Sequence, residues 1–137
     1  LTVRGYKRAA GGIAGHILNT TVANPTIQNV KVMLDYFDED EPENKKSIGV
    51  ITGTIGAEGQ TAEDIEQAGK MLTIEGTKNV SNVVLSYPYP YSEDNLPFCN
   101  GYVGTYRENT IATKNPENSI EGLPNSNEGI SYEYISN

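Results

Sequence analysis

The chain has 137 residues and a net charge of −8, from 10 basic and 18 acidic side chains. That length fits one domain able to bury roughly 68% of its unfolded surface without disulfide or metal staples. The acidic balance excludes the basic face of a nucleic-acid binder and a polybasic contact with anionic lipid, and no apolar run approaches the ~18 residues of a membrane span.

Residues 1–8, LTVRGYKR, alternate, with Leu1, Val3 and Gly5 on one face and Thr2, Arg4, Tyr6 and Arg8 on the other. This reads as an N-terminal arm or first strand, reaching to residue 10. The AAGG of 9–12 is a break, 13–19 a short strand, and 20–25 a turn region ending at Pro25. Residues 27–40 carry the clearest signal. Val30, Val32, Leu34 and Tyr36 alternate with Lys31, Met33, Asp35 and Phe37, a period of two with one face in a core. A charged loop follows over 38–46, then a β-branched strand over 47–55 and a turn at 56–59. Thr61 with Glu63 and Asp64 resembles a helix start, for one short helix near 62–67 stopped by Gly69.

Further strands are expected at 71–74 and 81–87, the second showing Val83, Leu85 and Tyr87 on one face. A hairpin turn at 76–79 would join them. Pro88 and Pro90 close the second strand. The last strands fall at 101–107 and 129–135, with a long polar loop over 108–128. No internal repeat is apparent. Seven or eight short strands with turns at this spacing predict an all-β fold, an immunoglobulin-like antiparallel β-sandwich over 11–137.

GGIAGHILNTTVANPTIQNVKVMLDYFDED resembles the immunoglobulin-like surface domains of bacteria and archaea known as FxLYD- and CARDB-type domains. Gly59-Gln60-Thr61 is similar to the Gly-x-Thr segment of that pattern. The resemblance covers about residues 11–70. It departs from the family at Ala57-Glu58 and at Asp64-Ile65. It implies an envelope-associated binding or structural module without catalysis.

Chemistry is sparse. His16 is the only histidine and Cys99 the only cysteine, so no internal disulfide, no Cys/His metal cluster and no convincing nucleophile–base pair exist. No catalytic residue is assigned, the chain reads as not an enzyme, and no cofactor is expected beyond a weak calcium candidate. That candidate is the acidic run Asp38, Glu39, Asp40, Glu41 and Glu43, which supplies the carboxylates a hard cation wants but not the spacing of a dedicated calcium loop. Tyr87, Tyr89 and Tyr91 beside Glu93 and Asp94 form a possible ligand loop for a sugar or protein. Asn19 and Asn79 open glycosylation triplets at expected turns.

The arm holds Arg4, Lys7 and Arg8, three of the ten basic residues. Leu1, Val3, Arg4, Gly5, Lys7 and Arg8 are therefore the candidate assembly arm. Added to the open edge of a neighbour, the arm would fill a groove with Leu1 and Val3 and meet the acids of 38–43 as acceptor. The expectation is an extracellular or cell-surface structural subunit of a filament, pilus or surface layer, assembling by β-strand addition. Its partners would be copies of itself, with or without a second, helix-bearing pilin chain. Leu1 in place of Met fits a chain from which a signal peptide has been cut. The alternative is a cell-surface adhesion module using the tyrosine loop.

Overall fold

The computed structural model describes residues 1–5, 9–34, 47–56, 70–87, 101–106 and 120–134. They form twelve strands: β1 (Thr2–Gly5), β2 (Ala9–Gly11), β3 (Ala14–Ile17), β4 (Thr20–Ala23), β5 (Thr26–Leu34), β6 (Ser47–Gly49), β7 (Thr52–Ile55), β8 (Leu72–Glu75), β9 (Asn79–Tyr87), β10 (Val103–Tyr106), β11 (Ile120–Glu121) and β12 (Ile130–Tyr134). Among these described strands no two consecutive ones pair. Sheet I has the order β1-β5-β9-β12, sheet II pairs β2 with β6, sheet III runs β10-β7-β3, and sheet IV runs β11-β8-β4. Every pairing among the described residues is parallel.

Followed along the chain, β1 to β4 visit sheets I to IV in turn, and β5 to β8 repeat the circuit. β9 starts a third coil, which passes sheet II where Val50 N–H donates to Gly101 C=O, then continues through β10 and β11. β12 returns to sheet I. A strand path that circles and stacks on itself in parallel is a parallel β-helix, a quasi-one-dimensional repeat architecture.

The inward faces of all four sheets share one apolar core. Val30, Val32 and Leu34 of β5 stack on Val83, Leu85 and Tyr87 of β9, and all six are buried. Ile48, Ile51 and Ile55 close the second coil from sheets II and III, and Leu72 and Ile74 from sheet IV. Full burial of side chains of this size contributes about 1.5–3 kcal/mol each.

A column of left-handed residues shapes sheet I. Asn29 (φ 57°), Asn82 (φ 50°) and Gly129 (φ 83°) occupy equivalent places in successive coils. The bend they make resets the side-chain phase, so Ile27 and Val30 both face inward although three residues apart. Asn tolerates this conformation because its short polar side chain bonds locally. Here Asn82 Nδ2–H donates to Asn29 Oδ1 at 2.8 Å, tying one coil to the next. At Gly129 a Cβ would lie 2.3 Å from the Val80 carbonyl oxygen, so the backbone approach itself requires glycine. A second corner, between sheets IV and I, is fixed where Thr77 N–H donates to Asn24 Oδ1 at 2.9 Å.

The antiparallel immunoglobulin-like sandwich expected from the sequence, and implied by the resemblance, is thus corrected to a parallel coil. The inward faces at 30–34 and 83–87 are where the alternation puts them. Alternation fixes which face is buried but not the direction of the neighbouring strand. Turn signals read as hairpins are corners: Gly76 (φ 77°) carries the chain from β8 to β9, which belong to different sheets. The turn expected over 20–25 contains β4, and the polar loop expected over 108–128 contains β11. The described residues contain no helix, and the short helix expected at 62–67 lies outside them. An internal repeat, not apparent in the sequence, is the organising principle of the fold.

Candidate functional site

Sheet I is where the two ends of the core are least covered. At the N-terminal end Val3, Ala14 and Val22 are only partly buried, while Ala10 and Ile17 of the same coil are buried. The large exposed apolar side chains among the described residues also lie in this first coil: Leu1 at 86%, Ile13 at 49% and Leu18 at 46%. Leu1 continues the column of Val30, Val83 and Ile130, since Lys31 N–H donates to Leu1 C=O beside the Thr2–Lys31 pair. Ile13 continues that of Ile51, whose carbonyl accepts from Ile13 N–H. At the other end Ile130, Tyr132 and Tyr134 of β12 are likewise half-covered. Tyr102, Val103 and Ile120 at that end, outside sheet I, are buried. Burial raises the Tyr132 pKa, opposed by a side-chain hydrogen bond from Asn127.

The ends also differ in charge. Residues 1–24 contain Arg4, Lys7 and Arg8 and no acid, whereas residues 120–137 contain Glu121, Glu128 and Glu133 and no Lys or Arg. On the outer face of sheet I, Lys31 Nζ lies 2.7 Å from Glu133 Oε2, reaching past β9. The bond from Lys31, then one from Ser86, then the Lys31 charge hold the Glu133 carboxyl below its ordinary pKa.

Of the candidate arm, Leu1, Val3, Arg4 and Gly5 are described. Val3, Arg4 and Gly5 form β1 in parallel register with β5 of the same chain. Lys7 and Arg8 lie outside the described residues, as do Asp38, Glu39, Asp40, Glu41, Glu43, Tyr89, Tyr91, Glu93, Asp94 and Cys99. Tyr87 is the last residue of β9, 1% exposed, and its ring stacks on Tyr134 with centroids 5.0 Å apart. That ring serves the core. Asn19 (φ 37°) and Asn79 are exposed, the first at a corner and the second opening β9. His16 Nδ1 lies 2.9 Å from Thr54 Oγ1 across coils one and two. Among the described residues no cluster of His, Cys, Asp and Glu is arranged to hold a metal ion, and no helix is long and apolar enough to cross a membrane.

Connectivity adds one relation. The C-terminal ends of β1, β5 and β9 stack, since Arg4 pairs with Met33 and Met33 with Ser86, and in each coil the next described segment belongs to sheet II or its continuation at Gly101.

Sequence reasoning missed the Asn29–Asn82 pair and the C-terminal edge. The signal for the first was present: IQNVKVML at 27–34 and VSNVVLSY at 80–87 share an Asn-Val step at the same place in the apolar pattern. No family model, curated protein or solved structure matches the chain.

Proposed function

We propose that the chain is an extracellular structural subunit of a filament or surface layer, joined to its neighbours end to end by strand addition. The observation that supports this reading is the pair of partly covered ends of sheet I, at Val3 and at Ile130, Tyr132 and Tyr134. A solenoid buries its core by stacking coils, and a terminal coil with half-covered inward residues has a face fit for another coil. The ends present strand edges, the template that strand addition uses. The acidic composition and the two exposed glycosylation triplets suit an extracellular setting. The reading assigns no catalytic role.

The test is particle size against concentration. Light scattering after gel filtration, with negative-stain microscopy, is expected to show elongated particles that lengthen as concentration rises. A monomer at every soluble concentration overturns the reading.

A second reading, a surface adhesion module, is favoured by the stacked ends of β5 and β9, where Met33 pairs with Ser86, because the acidic run follows the first in sequence and Tyr89, Tyr91, Glu93 and Asp94 the second. Glycan-array binding that disappears in a Tyr89→Ala, Tyr91→Ala double variant would support it. An array blank for the wild-type chain counts against a sugar ligand.

A further inference from the structure

Resting on the structural-subunit reading, we infer that the joint is a parallel pairing of β1 of one copy on β12 of the next, in the register that sheet I keeps throughout. Register carries from coil to coil: Thr2 pairs with Lys31, Lys31 with Val84, and Val84 with Ser131. Continued by one strand, the same columns set Leu1 of the incoming copy against Ile130, Val3 against Tyr132 and Arg4 against Glu133. The exposed Leu1 and the partly buried Val3 then meet the partly buried Ile130 and Tyr132 on the inner face. On the outer face Arg4 joins the Glu133 carboxylate that Lys31 of its own chain already holds.

The backbone groups agree with this register. Lys31 N–H donates to Leu1 C=O, which turns the Leu1 and Val3 backbone toward β5 and that of Thr2 and Arg4 toward the outer edge. At the far edge Val83 N–H donates to Gly129 C=O, so Ser131 and Glu133 face β9 while Ile130, Tyr132 and Tyr134 face outward. The amide of Arg4 then bonds the carbonyl of Tyr132, and the amide of Tyr134 the carbonyl of Arg4. A slip of one residue would place Val3, whose backbone is turned toward β5, against that edge, and would move its side chain off the apolar column.

The joint is heterologous, with different surfaces on the two partners, so it propagates instead of closing into a dimer. The charge asymmetry of the ends acts the same way: like ends repel and unlike ends attract. Among the described residues sheet I has one more strand than sheet III or IV at the C-terminal end, so β12 stands one strand layer, about 4.8 Å, beyond β10 and β11. The pairing inferred here is that of sheet I, where the inward residues Ile130, Tyr132 and Tyr134 are only partly buried. Such a contact is small, and its assembly is reversible and steep in concentration.

Sedimentation velocity on the full chain tests the joint. Arg4→Glu and Glu133→Arg are each expected to weaken association about tenfold or more, the factor that about 1.4 kcal/mol represents. An equimolar mixture of the two restores it, because each then offers the edge that the other needs. Thr2→Pro, which removes an outward amide and leaves the β1–β5 bonds in place, is expected to block growth while the circular dichroism spectrum and melting temperature stay those of wild type. If the wild type assembles and neither charge reversal nor Thr2→Pro changes it, this joint is overturned while the structural-subunit reading stands. If both single variants are folded and weakened but their mixture is not restored, the Arg4–Glu133 pairing is overturned. A wild-type chain that never assembles overturns both.

Discussion

The second coil and the two terminal coils are built on one pattern but differ in what covers them. In the second coil Val32 and Leu34 have a strand on either side and are buried. Val3 in the first coil and Tyr132 in the last occupy the same column as Val32 and are only half-covered. In sheet I the same inward position thus serves as core in the middle and as surface at the ends, whereas Val103 and Ile120 on the edge strands of sheets III and IV are buried. In a stacked architecture, burial is a property of the neighbouring coil as much as of the residue.

Substitutions at four positions probe that difference, from the largest expected effect to the smallest. Leu85→Ala empties a position buried on all sides and is expected to cost about 2–5 kcal/mol in urea unfolding. A loss under 1 kcal/mol would show that the middle coils are no better packed than the ends. Asn82→Ala removes the bond to Asn29 and forces alanine into a left-handed conformation, at about 1–3 kcal/mol together. Asn82→Gly, which relieves the backbone, should recover part of that loss, and equal losses in both would show that the backbone conformation contributes nothing.

Val3→Ala at the open end is expected to cost about 1 kcal/mol or less under dilute conditions, because the side chain has a covering strand on one side alone. The cost should rise with protein concentration as a neighbour begins to cover it. The smallest effect belongs to Glu133. Its folded pKa is depressed below 4.5, so the ion pair contributes fully above the ordinary carboxylate pKa and is lost as pH falls through the depressed value. The gap in melting temperature between wild type and Glu133→Gln, small at neutral pH, should close on acidification. A gap that widened would contradict the depressed pKa.

The faces of individual strands were legible in the sequence and their partners were not. Val30, Val32 and Leu34, and again Val83, Leu85 and Tyr87, face inward as their alternation indicates. The coil escaped notice because its strands recur at unequal intervals. Thr2 pairs with Lys31, 29 positions on (31 − 2), Val30 with Val83, 53 on (83 − 30), and Val83 with Ile130, 47 on (130 − 83). Repeats at such unequal spacing do not align by eye. Ile27 broke the alternation for a reason no strand pattern carries, the left-handed turn at Asn29. The candidate arm was legible as a cationic first strand. Its opposite number, the acid-bearing edge of β12, was not, because nothing in one dimension says that 130–134 stands at the far end of the sheet containing 2–5.

Among the described strands no two consecutive ones pair, and this has a kinetic consequence. None of these strands finds its partner by a local turn; each pairing waits for the chain to travel a full coil. Loop-closure entropy is spent before any pairing repays it, the circumstance that makes topologies of this kind slow to fold. β5 and β9 are the longest strands and carry the paired asparagines, which makes their meeting the natural nucleus. Until they meet, the newly made chain holds its apolar strands with open edges on both sides, and the edge chemistry that would later join finished subunits is, in that interval, its main route to misassembly.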